Sequence, residues 1–178
     1  VAAARTAGMK RPFLGVAPLA RHRLKTWPPG KMEAMLRILI SRKECTLFLF
    51  GSPDESAAVD EIAARVPGAI SMAGKISLEG EIALIADLDL MVAMDSSNMH
   101  LASMLGTDTL SIWGATHPRA GFSAWGMPPE NQIQIPDTEL TCRPCTIYGK
   151  GTCRRGDLAC LEWLTPEMVL QKILNKLK

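Results

Sequence analysis

Short, unbroken apolar runs alternate with segments of helical period along this chain, and that alternation constrains its fold more than any other feature. The runs are Phe13 to Pro18 (FLGVAP), Cys45 to Gly51 (CTLFLFG), Leu88 to Met94 (LDLMVAM) and Thr109 to Gly114 (TLSIWG), with a weaker fifth, AISMAG, around Ile70. Runs this short, without polar alternation, suit strands buried on both faces of a parallel sheet. Between them, PPGKMEAMLRILIS repeats Met32, Met35, Leu36, Leu39 and Ile40 at spacings of three and four, with prolines at its first turn. DESAAVDEIAARV opens on acidic residues, which a helix N-terminus favours. SLEGEIALIADL offers Ser77 as an N-cap, with Ile82, Ile85 and Ala86 on one face. TPEMVLQKILNKLK begins on Thr-Pro, repeats Val169, Ile173 and Leu177, and ends in lysines. Strands alternating with helices predict an α/β domain with a doubly wound parallel sheet. Such sheets take ligands beyond the carboxyl ends of their strands.

A length of 178 residues suits one domain with a sizeable core. A net charge of +2 argues against nucleic-acid binding by bulk electrostatics, so any anion must be recognised locally. No apolar run approaches the roughly 20 residues of a membrane helix. The opening VAAARTAGMK has neither a signal-peptide pattern nor an initiator Met, and the expectation is a fragment whose N-terminal part is missing. The absence of an export signal predicts a reducing, cytoplasmic setting, where disulfides are disfavoured.

Polar groups crowd three of the predicted strand ends. After the Leu88 to Met94 run come Asp95, Ser96, Ser97, Asn98 and His100, leading into the helical stretch NMHLASMLG. A helix N-terminus carries unpaired N–H groups and suits phosphate, while Asp95 suits a sugar hydroxyl. Plain capping by the two serines explains the same residues equally well. After the first run, ARHRLKTWP places Arg21, His22, Arg23 and Lys25 within reach of a diphosphate, or forms a solvated basic loop. Lys25 abuts Trp27 and Pro28, which should fix its position. GATHP brings Gly114, Thr116 and His117 toward the same crevice or forms an ordinary turn. No GxGxxG, GxxxxGK[ST] or GxSxG stretch is present, which weighs against a dinucleotide dehydrogenase, a P-loop enzyme and an α/β-hydrolase. Cys142, Cys145, Cys153 and Cys160 could hold a structural zinc, pair as disulfides or stay reduced. In each case they read as loop architecture away from the chemistry.

Taken together, DSSNMHLASMLGTDTLSIWGATHP resembles the D-[ST]-G-x-x-H-L-A-x-x-L-G…GPT-x-P signature of family 9 glycosyltransferases, the heptosyltransferases of lipopolysaccharide synthesis. KTWP resembles the family's Lys-x-Trp-Pro, KISLEGEIALIADLDLMVAMD its lead-in segment, and the cysteine segment before LTPEMV one found in heptosyltransferase II-like members. The resemblance runs from about Phe13 to the C-terminus and implies a Rossmann-like, nucleotide-sugar-binding domain, the C-terminal half of a GT-B enzyme. On that reading residues 1–11 are a linker remnant, and 12–178 form the donor domain with a Cys-rich loop at 142–160. It implies inverting transfer of a sugar, heptose in the family, from an ADP-sugar to a lipopolysaccharide core or related glycan, with no cofactor required for catalysis.

The resemblance gives Lys25 and the helix N-terminus near Ser96 and Ser97 the leaving diphosphate. Asp95 takes the heptose hydroxyls with Asn98 and His100 nearby, and Ile76 packs on adenine. The glycolipid acceptor and general base belong to the missing N-terminal domain, so the chain alone should bind nucleotide without catalysis. The full-length protein is compatible with peripheral association at the inner face of the inner membrane. Departures bear on the donor: Ser97 replaces the family's Gly, Asn98 its usual Pro, and His117 an acid. A stand-alone nucleotide-sugar-binding module and a nucleotide-sugar epimerase or hydrolase are the rival readings. Asp95, His100 and His117 are the latter's only candidate acids and bases.

Overall fold

The computed structural model describes residue 6 and residues 8–178. Six parallel strands form one sheet: β1 (Phe13–Ala17), β2 (Thr46–Leu49), β3 (Ala69–Ser71), β4 (Leu90–Met94), β5 (Thr109–Ile112) and β6 (Gln132–Ile133). Their spatial order is β3-β2-β1-β4-β5-β6. The chain therefore winds outward from β1 to β3, then returns to the other side of β1 for β4. The crevice at that reversal, beyond the carboxyl ends of β1 and β4, is where doubly wound sheets bind ligands. Leu14, Gly15, Val16 and Ala17 register with Leu90, Met91, Val92 and Ala93, so the segments following these two strands emerge side by side.

Side chains alternate across the sheet, which is why the strands read as continuous apolar runs. Leu14, Val16, Leu47, Leu49, Leu90, Val92 and Ile112 face one layer, and Phe13, Ala17, Phe48, Met91 and Ala93 the other. The first layer is built by α1 (Pro29–Arg42), α2 (Ser56–Arg65) and the terminal helix Pro166–Lys176. In it Met32, Met35, Leu36, Leu39, Val59, Ile62, Val169 and Ile173 are fully or almost fully buried. The second layer is α3 (Leu78–Ala86) with α4 (Ser97–Met104), through Leu84, Ile85, Met99 and Ala102. A short α5 (Ala159–Glu162) precedes the terminal helix, α6. Each buried Leu, Ile or Met contributes roughly 1.5–3 kcal/mol by removal from water.

Caps agree with the sequence at two helices: Ser77 Oγ accepts from Gly80 N–H, and Thr165 Oγ1 from Met168 N–H. The acidic residues expected to open the second helix fall in a preceding 3₁₀ turn, Pro53–Glu55, where Ser52 and Glu55 cap one another. At α4, Ser96 occupies the N-cap position but its side chain bonds no backbone N–H, and Ser97 is the first helical residue. Of the expected linker, residues 1–5 and 7 lie outside the described residues. Arg11 is bound to the domain by Asp87 and Asp89 and lies over the Phe13 ring. No helix among the described residues is long and apolar enough to cross a membrane.

Candidate functional site

The loop after β1 is tied to itself and to the core before it delivers Lys25. Thr26 Oγ1 accepts from Ala20 N–H at 3.2 Å and lies 3.1 Å from the Ala20 carbonyl, closing residues 20–26 into a turn. Trp27 is fully buried and donates its Nε1–H to the Leu164 carbonyl at 3.3 Å. With both neighbours held, Lys25 projects toward the end of β4, where its Nζ lies 3.0 Å from Asp95 Oδ2. Asp95 is 3% exposed and the Lys25 side chain 17%. Thr116, in the segment after β5, donates its hydroxyl to the same Oδ2 at 2.8 Å. Among the described residues both of these contacts fall on Oδ2.

Beside this pair stands the N-terminus of α4. Its first-turn N–H groups have no intrahelical partner, and Ser96 leaves them uncapped. The Ser96 hydroxyl is itself buried without a hydrogen-bond partner among the described residues. Such an orphan costs about 1–3 kcal/mol unless something satisfies it. Uncapped amides, an orphan hydroxyl and an ammonium at one point favour the anion-binding reading of these serines over plain capping.

These groups form one wall of a cleft of about 1260 Å³. Lys25, Asp95, Ser96, Ser97, Asn98 and His100 all line it, joined by Arg21. Ser52, Asp54 and Glu55 after β2 also line it, with Glu81 from α3, which accepts from Asn98 Nδ2 at 2.8 Å. The cleft thus combines cations and a helix N-terminus with carboxylates, Asp95 among them. That combination suits a ligand carrying both phosphate and ribose or sugar hydroxyls. Asp54, Glu55 and Glu81 escape notice in the sequence because they occupy helix-start and helix-face positions where acids are ordinary. Ile76 lies outside the cleft, packed against the second core layer, and Leu78, 63% exposed, is the apolar residue from that segment that lines it.

His117 does not join the cleft lining. It is buried, its Nδ1 accepts from Arg119 N–H at 3.1 Å, and its Nε2–H therefore donates to Asp137 at 3.2 Å. Burial pushes its pKa below the ordinary imidazole value, against the pull of Asp137, so the ring is neutral. Gly114 serves through its carbonyl, which accepts from Arg143.

The Cys-rich loop requires one correction. It is not remote from the site: Ile147, Tyr148 and Lys150 line a second hollow, of about 370 Å³, which shares Arg21, Lys25 and Phe122 with the main cleft. Of the three states left open for its cysteines, zinc ligation has no preformed site among the described residues. All five thiols are free, and among the described residues no group of three or more His, Cys, Asp or Glu is arranged to hold a metal. The Cys145 thiol instead donates to the Cys142 carbonyl, and the buried Arg143 guanidinium lies within electrostatic reach of Cys142, Cys145 and Cys160. Burial pushes the Cys145 thiol up and that of Cys160 up to about 11. At Cys153, burial is outweighed by N–H groups of Leu158, Arg155 and Gly156, which hold the thiol below its ordinary value.

The sequence matches glycosyltransferase family 9 (heptosyltransferase) over residues 1–150. Among solved structures the fold is similar to Escherichia coli ADP-heptose lipopolysaccharide heptosyltransferase II, with a TM-score of 0.73 and 24% identity over 97% of this chain and 49% of that one. It is also similar to the family 9 glycosyltransferase of Veillonella parvula, with a TM-score of 0.74 and 16% identity over 97% and 48%. E. coli heptosyltransferase WaaC, solved with ADP, gives a TM-score of 0.66 and 20% identity over 96% and 47%. At these identities the likeness speaks for the fold, and the chain spans about half the length of each relative. No curated protein sequence matches it.

Proposed function

This chain belongs to glycosyltransferase family 9, and from that premise we propose that it is the donor-binding domain of an inverting, heptosyltransferase-like enzyme of GT-B architecture. In this reading residues 12–178 hold an ADP-sugar, with heptose the expected sugar. A second domain, joined through the segment around residues 1–11, supplies the glycolipid acceptor and the general base. The carrying observation is the convergence of Lys25, Asp95 and the uncapped N-terminus of α4 at the sheet's reversal point. The ADP bound to WaaC supports the choice of nucleotide.

The chemistry follows from that convergence. An acceptor hydroxyl attacks the anomeric carbon, the bond from that carbon to the diphosphate oxygen breaks, and ADP leaves with the electron pair. Negative charge then grows on the diphosphate, where the Lys25 ammonium and the α4 N–H groups stand ready without reorganising. Asp95, already fixed by Lys25 and Thr116, offers Oδ1 to a sugar hydroxyl and so orients the anomeric carbon. Ser97 and Asn98 replace the smaller and stiffer residues of the family signature and tune which sugar fits. The natural setting is the cytoplasm, with the full-length enzyme at the inner face of the inner membrane where its acceptor lies.

A transfer assay with radiolabelled ADP-heptose and a lipopolysaccharide-core acceptor tests the division of labour. Residues 1–178 alone bind the donor and give no product, whereas a chain joined to the second domain turns over. Turnover by residues 1–178 alone overturns the proposal.

A further inference from the structure

Gly149, in the Cys-rich loop, is buried and has a φ of +82°, in the left-handed region. A Cβ at this position would lie 2.5 Å from both Cγ and Cδ of Lys25, and 3.3 Å from Cβ of His22. The backbone of the loop therefore rests directly on the aliphatic stem of the lysine whose ammonium faces Asp95. A lysine has four rotatable bonds and gives up much rotamer freedom when it is held. Without a surface along its stem, the ammonium of a side chain that is 17% exposed would spread over many positions.

The loop is itself anchored to the segment after β5, whose Thr116 holds Asp95. Arg143 donates to the carbonyls of Gly114 at 2.6 Å, Ile135 at 3.0 Å and Thr116 at 3.1 Å, and to Gln134 Oε1 at 2.8 Å. Cys145 N–H donates to the Ala115 carbonyl at 2.9 Å. Residues 114–116 are thus fixed by the loop, and Thr116 in turn fixes Asp95. Farther along, Tyr148 meets the edge of Phe122, a residue of the cleft, with ring centroids 5.7 Å apart.

We infer that Gly149 is a positioning residue for diphosphate binding, and that the Cys142–Lys150 loop is a clamp setting both members of the Lys25–Asp95 pair. Gly149 acts on the lysine by contact, and Arg143 acts on the aspartate through Thr116. The inference rests on the proposed role of Lys25 at the diphosphate. Glycine is required twice over at position 149: any Cβ is strained at this φ and collides with the lysine stem.

The test is calorimetric titration of ADP and AMP into the wild-type chain and three variants, with thermal unfolding of each. Lys25→Ala lowers ADP affinity by about tenfold with AMP little changed, the worth of one charge-assisted contact to the terminal phosphate. Gly149→Ala reproduces that selective loss to within a few-fold. Gly151→Ala is the control, because Gly151 has a φ of +95° in the same loop but nothing within 4 Å of its Cβ position. It carries the same backbone strain and leaves the ADP-over-AMP preference intact. Should Gly149→Ala not fold, Tyr148→Gly loosens the clamp without adding atoms and lowers the preference by about threefold. An effect of Lys25→Ala with none from Gly149→Ala or Tyr148→Gly overturns the clamp and spares the donor site. Equal effects from positions 149 and 151 overturn it as well. No effect of Lys25→Ala overturns the diphosphate assignment and the clamp together.

Discussion

Replacing Asp95 by Asn moves folding stability and nucleotide affinity in opposite directions. The carboxylate lies 3.0 Å from the Lys25 ammonium, is 3% exposed, and accepts from Thr116 on the same oxygen. Bare Coulomb attraction at this separation is about 5 kcal/mol with an effective dielectric constant near 20. Most of that offsets desolvation. Exposed pairs are worth about 0–1 kcal/mol, and breaking a fully buried pair costs about 3–5 kcal/mol. With one partner buried and the other largely so, and with the Asn carbonyl still able to accept from Thr116, the loss is about 2 kcal/mol. Urea unfolding at pH 7 reads this as a midpoint lowered by about 1 M at unchanged slope. In the proposed donor complex the same carboxylate stands beside the diphosphate and competes with it for Lys25. The variant therefore binds ADP severalfold more tightly at low salt, and salt erases the gain. A variant as stable as the parent, or one that binds ADP more weakly, refutes the reasoning that the two anions share one lysine.

Other expectations come from groups around the cleft. Arg143→Ala strands three buried carbonyls and costs about 3 kcal/mol by urea unfolding, whereas a loss below about 1 kcal/mol would mean water replaces the guanidinium. His117 is held neutral, with a pKa below its unfolded value, so its contribution to stability is present above pH ~6.5 and is lost as pH falls from there through the lower folded-state value. His117→Asn, which keeps an acceptor for Arg119 N–H, flattens that part of the pH–stability curve, and an unchanged curve contradicts the assignment. Brief alkylation at neutral pH, mapped by mass spectrometry, labels Cys153 before Cys145 and Cys160 last, because thiolate is the reacting species. Labelling of Cys160 first contradicts the burial argument.

The βα order was legible because both faces of the sheet are covered, which turns each strand into an unbroken apolar run. β6 escaped because two residues, Gln132 and Ile133, carry no pattern. Asp95 and Lys25 were each legible as polar residues at strand ends, but not as partners. They lie far apart in the chain, and only the adjacency of β1 and β4 joins them. The serines at α4 illustrate the limit of capping rules: Ser96 has the residue type and the position of a cap without making its bond. Ile76 and Leu78 differ by two positions, and which one reaches the cleft depends on how α3 begins, which periodicity does not specify. The cysteines were visible as a cluster, yet cysteine spacing says nothing of Arg143 lying within electrostatic reach of three of them. Gly149 had no signal at all, since a glycine in a polar loop looks the same whether it meets solvent or a lysine stem.

The central claim, an ADP-sugar site at the reversal point of the sheet, is tested most directly by calorimetric titration of this chain with ADP, UDP, GDP and ADP-heptose, repeated with Asp95→Asn. The account predicts binding of ADP over UDP and GDP, a further gain for ADP-heptose over ADP in the wild-type chain, and loss of that heptose gain in the variant, whose ADP binding is itself tighter at low salt. Equal binding of all three nucleotides, or a heptose gain that survives the loss of Asp95, would contradict it.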